Sequence, residues 1–372
     1  MAVTIPLSSP DINEAEIAEI IAVLKTPRLS LGDQLIKFEA ELAQFVGTAH
    51  CVAVSSGTAA LHLALLGAGV QAGDEVIVPS FAFIAVANAV RYVGAIPVFV
   101  DIEEHTLNLA PAAVEAAIST RTRAVIVVHT FGVPAALHEI LELAHRHHLK
   151  VIEDACESLG GESGGRKLGS LGDAGVFGFY PNKQITTGEG GALVTDDAAL
   201  AKRGRMLRNQ GRSASGDWFE HEEIGYNYRI SEINCALGVA QLRRIAEILE
   251  KRAHVAQRYF ANLRDCTDLQ LPPMQIARGK ISWFVYVVRL AERFRGEGRD
   301  RVVAELATRG IASGRYFAPI HRQAAYRDVP ARCMDLRITE SVADRTLALP
   351  FFNHITNTQV DEVCRALQDA LL

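Results

Sequence analysis

One lysine, Lys183, stands between an apolar run and a glycine-rich turn in Gly175-Val176-Phe177-Gly178-Phe179-Tyr180-Pro181-Asn182-Lys183-Gln184-Ile185-Thr186-Thr187-Gly188-Glu189-Gly190-Gly191. Phe179 and Tyr180 beside it would withdraw water from its ammonium. That favours the neutral amine, the form that attacks an aldehyde to give a Schiff base. Its companion is Asp154 in Glu153-Asp154-Ala155-Cys156, directly after the apolar Val151-Ile152. An aspartate at the carboxyl end of a buried strand can keep a pyridine nitrogen protonated, the condition under which pyridoxal phosphate acts as an electron sink. Ser56-Gly57-Thr58 lies between a strand and a helix candidate carrying Leu61, Leu63 and Leu65. Amides at a helix start carry unpaired donors and partial positive charge, so a phosphate can sit there, with Gly57 permitting close approach. Each feature also has a plainer reading: an exposed lysine, an aspartate capping a helix, an ordinary strand-glycine-helix junction.

These residues need a frame. Short apolar runs at 51–54, 75–78, 96–100, 124–128 and 150–152 alternate with helical segments, and 176–179 and 191–195 add two more runs flanking the lysine turn. Runs that are apolar on both faces are strands sandwiched between helices, so the spacing predicts an α/β fold around a mostly parallel sheet. Ahead of it, Ser9-Pro10-Asp11 followed by Ile12, Ile17, Ile20, Ile21 and Leu24 reads as a capped amphipathic helix. Leu35, Phe38, Leu42, Phe45 and Val46 mark a second, stopped by Gly47. Residues 230–262 read as one long helix without internal proline, and Leu271-Pro272-Pro273 breaks the pattern beyond it. This divides the chain into 1–262, two N-terminal helices with a large α/β domain and its long connecting helix, and 263–372, a small α+β domain. In the latter, 283–290 and 311–317 read as strands, and 299–309, 338–347 and 357–371 as helices. Gly160-Gly161-Glu162-Ser163-Gly164-Gly165 reads as a flexible loop.

With 372 residues and 49% hydrophobic content the chain can bury a large core, and its net charge of −5 with no long basic tract offers no footprint for nucleic acid or a polybasic membrane contact. Six scattered cysteines without a CxxC pair, and no signal-like start, point to a reduced cytoplasmic setting. No apolar run approaches the ~20 residues that span a bilayer. His145, His147 and His148 invite a metal reading, but only His145 and His148 share a helical face, and a solvated helix end is the simpler account.

In combination, Ser55-Ser56-Gly57-Thr58-Ala59-Ala60-Leu61, Pro79-Ser80-Phe81-Ala82-Phe83, Glu153-Asp154-Ala155-Cys156, the Lys183 segment and Gly225-Tyr226-Asn227-Tyr228-Arg229-Ile230-Ser231-Glu232 occur in an order that resembles the DegT/DnrJ/EryC1/StrS aminotransferases, over roughly residues 5–370. The resemblance implies a fold-type I enzyme that holds pyridoxal 5'-phosphate as a covalent aldimine on Lys183, passes through pyridoxamine phosphate, and moves an amino group from an amino acid, glutamate, to a nucleotide-linked keto sugar. It implies that Lys183 also shuttles the proton, that Asp154 meets the ring nitrogen, that Gly57 and Thr58 hold the phosphate and that Phe83 stacks on the ring. Asn227 would reach from one subunit to the phosphate in the other, making a homodimer with shared active sites. Arg229, Tyr316 and His321 would face substrate. Two positions depart from the family pattern: Gly178 stands where many members have a phosphate-binding serine, and Glu157 where many have Gln or His near the cofactor's 3'-hydroxyl. A carboxylate facing a phenolate oxygen is repulsive, so Glu157 would serve only if protonated or aimed elsewhere, with Ser158 as its substitute.

Two rivals share these motifs. A sugar 3-dehydratase of the same fold replaces the lysine with histidine, and a regulatory cofactor-binding protein would have lost turnover. Lys183 argues against the first, and Lys183 with Asp154 against the second.

Overall fold

The computed structural model describes residues 3–213 and 220–372. An eight-stranded sheet forms its centre, in the spatial order His50–Val54, Gly191–Thr195, Ala174–Gly178, Lys150–Asp154, Thr122–Val128, Glu75–Pro79, Ile96–Val100 and Arg332–Cys333. Gly191–Thr195 runs antiparallel to both of its neighbours, and the remaining pairings in this sheet are parallel. The mostly parallel α/β reading of the sequence thus describes the observed sheet. One face is covered by the helices Gly57–Gly67, Ala85–Tyr92 and Ala198–Arg208, which bury Leu61, Leu65, Val86, Val90 and Leu207 against Val76, Val78, Ile126 and Leu193. The helices Pro111–Ala117 and Leu137–Arg146 cover the other, on Val98, Val125 and Val151. Burial on both faces is why these strands read as unbroken apolar runs.

The N-terminal helix spans Glu14–Leu24, later than the Ser9-Pro10-Asp11 start expected for it, because Asn13 forms the cap. The Asn13 side chain accepts the Ala15 amide at 2.8 Å and Glu16 accepts the Asn13 amide at 2.8 Å, a reciprocal capping box. Asp11 is instead buried against Arg244, Lys251 and Asn353. The second helix, Asp33–Val46, ends at Gly47 in the left-handed region (φ 84°), as its sequence predicts. The expected single helix over 230–262 is two, Glu232–Arg243 and Ile245–Leu263, broken at Arg244 (φ −101°, ψ 5°). Arg244 guanidinium contacts to Asp11, Glu16 and Glu247 fix the break, and such tertiary anchors leave no mark in the helical period.

Ile245–Leu263 bridges the two halves of the molecule, with Ile245 and Ile248 in the core beneath the sheet and Val255, Tyr259 and Leu263 in a second core with Tyr286, Val288, Leu347 and Leu367. That second core holds a three-stranded antiparallel sheet, Leu269–Gln270, Tyr286–Leu290 and Thr346–Leu349. Thr346–Leu349 is strand where the sequence pattern reads as helix end; the preceding helix stops at Ala343. The expected strand over 311–317 is reduced to isolated bridges, Ile5 with Ile311 and Gly314 with Ala348. The expected loop at 160–165 carries a small hairpin, Glu162–Ser163 with Arg166–Lys167. Two segments cross the 262/263 division: Ile5 joins the C-terminal core, while Ile320, Tyr326 and Leu336 pack in the large core and Arg332–Cys333 extends the large sheet. No helix among the described residues is long and apolar enough to cross a membrane.

Candidate active site

At the carboxyl ends of the parallel strands opens a cavity of about 600 Å³, where ligands of open α/β sheets bind. Gly57, Thr58, Phe83, Asp154, Glu157, Lys183 and Tyr316, all singled out from the sequence, line it. Ser158, Asn227, Arg229 and His321 are not brought to it. The Ser158 hydroxyl is buried and donates to the Ala155 carbonyl at 3.4 Å. Asn227 is exposed and bridges Asn209. Arg229 donates to the Asn209 side chain at 3.1 Å. His321 lies 2.7 Å from the Ser80 hydroxyl and 3.1 Å from Glu340 Oε1.

Asp154 ends its strand, buried, with Oδ1 accepting the Cys156 amide at 3.1 Å. No helix follows it, so its role is not a helix cap. Opposite, the helix Gly57–Gly67 begins at the cavity; Ser56 accepts the Ala59 amide at 3.1 Å, and the first main-chain bond of the helix runs from the Ala60 amide to the Ser56 carbonyl at 3.1 Å. The amides of Gly57 and Thr58 precede that bond and have no intrahelical partner. A Cβ on Gly57 would lie 2.9 Å from Cys156 Sγ and 3.3 Å from Gly178 Cα, so glycine is what leaves the cradle open. A Cβ on Gly178 would likewise meet Cys156 Sγ at 3.3 Å, which gives the missing serine a physical reason: the thiol occupies its flank. Phe83, 63% exposed, stands at the rim rather than in the core. A phosphate cradle at a helix start, a carboxylate, an aromatic face and a lysine around one cavity match the parts of pyridoxal phosphate.

Lys183 sits in the turn after the strand Ala174–Gly178, its amide donating to the Tyr180 carbonyl at 2.9 Å. The aromatic ring that desolvates it is not the expected Phe179, which turns into the core edge-on to Phe38 at 5.4 Å, nor Tyr180, which is exposed. It is Phe284, whose ring centroid is 3.9 Å from Lys183 Nζ. Glu157 Oε1 is 3.7 Å from the same nitrogen, and Glu157 Oε2 accepts the Phe131 amide at 2.8 Å. Burial raises the Glu157 carboxyl above its ordinary range, with Lys183 opposing and Asp154 adding to the rise. Burial also raises the Tyr316 hydroxyl, helped by the charge of Glu157.

Phe284 is held from behind. The buried Arg252 donates to the Trp283 carbonyl at 2.7 Å, to the Phe284 carbonyl at 2.6 Å and to Asn353 at 2.9 Å, and burial pushes its pKa down to about 10. Gln184 donates to the Glu157 carbonyl at 2.7 Å and to the Ser282 hydroxyl at 3.0 Å, tying both sides of the lysine together. Sequence reasoning did not find Phe284 or Arg252, since neither lies in a motif. It also missed Arg315, which lines the cavity mouth, 54% exposed, and pairs with Asp300 at 3.0 Å.

A family model of the DegT/DnrJ/EryC1/StrS aminotransferases matches residues 10–368. The chain belongs to this family. Within the DegT/DnrJ/EryC1/StrS aminotransferases it is 39% identical to the GDP-perosamine synthase of Caulobacter vibrioides, over 99% of this chain and 98% of that protein. It is 36% identical to the spore coat polysaccharide biosynthesis protein SpsC of Bacillus subtilis, over 98% and 96%. Among solved structures it resembles S. venezuelae DesV in complex with a ketimine intermediate, with 37% identity, a TM-score of 0.90 and 98% of each chain covered. The fold-type I aminotransferase expected from the motifs is the fold of these enzymes, and the protein is an aminotransferase.

Proposed function

We propose that the protein transfers an amino group from glutamate to a nucleotide-linked keto sugar, with pyridoxal 5'-phosphate anchored on Lys183, as a cytoplasmic homodimer. The observation that carries this reading is the convergence of Lys183, Asp154 and the open Gly57–Thr58 cradle on one cavity large enough for a cofactor and part of a sugar. The resemblance to a GDP-perosamine synthase supports the substrate class.

When bound, the cofactor supplies an electron sink that lets a carbon–hydrogen bond next to nitrogen lose its proton. The chain's own residues do the rest. Asp154, buried with one oxygen held by the Cys156 amide, would meet the ring nitrogen. The Gly57 and Thr58 amides would hold the phosphate. Lys183 Nζ would carry the proton between two carbons, with Phe284, Phe317 and Tyr316 lining the cavity around it. Arg315 is, with Lys183, the cation among the described lining residues, and at the mouth it meets the diphosphate of the substrate.

The test is to treat holoenzyme with glutamate, remove the excess, and present a panel of nucleotide-linked keto sugars, scoring amino-sugar products by mass spectrometry. Wild type aminates at least one; Lys183→Ala, folded by circular dichroism, aminates none. Turnover by Lys183→Ala without added amine would overturn the assignment. A dehydrated sugar in place of an aminated one would favour the dehydratase reading.

A further inference from the structure

The Lys183 amine must have a place to rest whenever it is not bonded, and it must be held there in a defined protonation state. We infer that Glu157 is the counter-ion of the free Lys183 ammonium and that Glu157 and the Phe284 ring together form the seat in which the amine waits. This rests on the reading of Lys183 as the cofactor-anchoring amine.

The geometry is specific. Glu157 Oε2 is fixed by the Phe131 amide at 2.8 Å, which leaves Oε1 turned to Lys183 Nζ at 3.7 Å. On another side the Phe284 ring centroid is 3.9 Å from that nitrogen, and a cation over the face of a ring is attracted by its quadrupole. Both supports are braced independently of the lysine. Gln184 holds the Glu157 carbonyl, and Arg252 holds the Phe284 carbonyl. Lys183 is 15% exposed and Glu157 7%, so water screens the pair weakly.

Among the described residues, Asp154, Cys156 and Tyr316 also interact with Glu157. Burial pushes the Cys156 thiol well up, and burial with the Glu157 charge raises Tyr316, so both stay neutral at physiological pH. That leaves the Lys183 cation, which opposes the rise in Glu157, and the Asp154 carboxylate, which adds to it. While Lys183 is charged it keeps Glu157 ionised; once the nitrogen loses its charge, burial and the Asp154 charge favour a proton on Glu157. A proton leaving Lys183 Nζ therefore has an acceptor 3.7 Å away, with both side chains largely buried. The arrangement also explains a glutamate at a position that would otherwise face the cofactor's 3'-oxygen with like charge: its carboxylate is aimed at the lysine.

The experiment reads the amine directly. Protein loaded with pyridoxamine phosphate, in which Lys183 is free, is labelled with trace acetic anhydride across a pH series, and acetylation of the Lys183 peptide is followed by mass spectrometry. Loss of an opposite charge favours the neutral amine, so Glu157→Gln should move the labelling midpoint down by about one pH unit, roughly tenfold more neutral amine at a given pH. Phe284→Leu should move it down by less. Glu157→Asp, which keeps the charge but draws it back, should fall between wild type and Glu157→Gln. A role confined to folding would change yield or melting temperature without moving the midpoint. An unchanged or raised midpoint in Glu157→Gln, or in Glu157→Asp if only that variant folds, overturns the proposal. Wild-type protein loaded with pyridoxal phosphate tests the underlying reading separately, because there Lys183 should be protected from labelling; labelling as fast as in the pyridoxamine form would instead remove Lys183 from its anchoring role.

Discussion

At the scale of single residues, charge at the cavity is unevenly distributed. Asp154, Glu157 and Glu189 are on its lining, while the cations there are Lys183 and, at the mouth, Arg315. An anionic substrate entering such a cavity needs the outer cation most, and Arg315 is half exposed on a flexible side chain whose pairing with Asp300 can be exchanged for a diphosphate. Because Arg315 is half exposed at the cavity lining whereas Lys183 and Asp154 are largely buried, its contact should be made equally in ground and transition states, which lowers KM without raising kcat. Arg315→Ala should therefore raise KM for the nucleotide sugar by about tenfold and leave kcat within about threefold, measured by steady-state kinetics at saturating donor. A kcat loss as large as the KM change would move Arg315 into the chemical step. The sequence could not single it out: arginines are common on surfaces, and the resemblance pointed to Arg229, whose guanidinium is engaged by Asn209 instead.

At the scale of elements, the Gly57–Gly67 helix meets the strand end at Gly178 and the turn at Cys156 with almost no clearance. Alanine at position 57 gains up to ~1 kcal/mol of intrinsic helix propensity, but over-packing a filled interface costs about 1–3 kcal/mol, so the loss should win. Gly57→Ala should lower the urea midpoint and weaken pyridoxal phosphate binding, and Cys156→Ala added to it should recover part of both by removing the atom 2.9 Å away. Recovery of stability without recovery of binding would detach the cradle from the phosphate. These elements also show what was legible. Strands buried on both faces write their positions as apolar runs, and Gly47 writes a helix end, because local chemistry fixes them. The break at Arg244, the capping by Asn13 and the strand Thr346–Leu349 were not legible, since each depends on partners far along the chain: Asp11 and Glu16 for Arg244, and Tyr286–Leu290 for the strand. The same division runs through the site. Lys183, Asp154 and Gly57 lie in motifs, whereas Phe284 reaches Lys183 only through the packing of the C-terminal core against the large sheet.

At the scale of the whole molecule, one chain leaves the cavity rim open. Phe83 and Tyr180 are exposed there, and Asn227, the residue expected to touch a cofactor phosphate, is exposed and away from its own cavity. The Gly57–Thr58 cradle offers the phosphate amides and a hydroxyl, and Gly178 adds no hydroxyl, so a donor from a second subunit would add to its hydrogen bonding. In a dimer with shared sites, a subunit carrying Lys183→Ala paired with one carrying Asn227→Asp gives one site with both defects and one with neither. Asn227→Asp sets a carboxylate against a phosphate and should be strongly impaired as a homodimer. Mixing the two impaired homodimers under conditions of subunit exchange should then restore activity to about half the wild-type value per heterodimer, because one of two sites is intact. Differently tagged subunits purified in tandem would isolate the heterodimer, so that recovery is read on a defined species. Activity no greater than the residual of the two parents would mean that Asn227 acts within its own subunit or does not reach the cofactor, and the cradle would have to be completed by the chain that carries it.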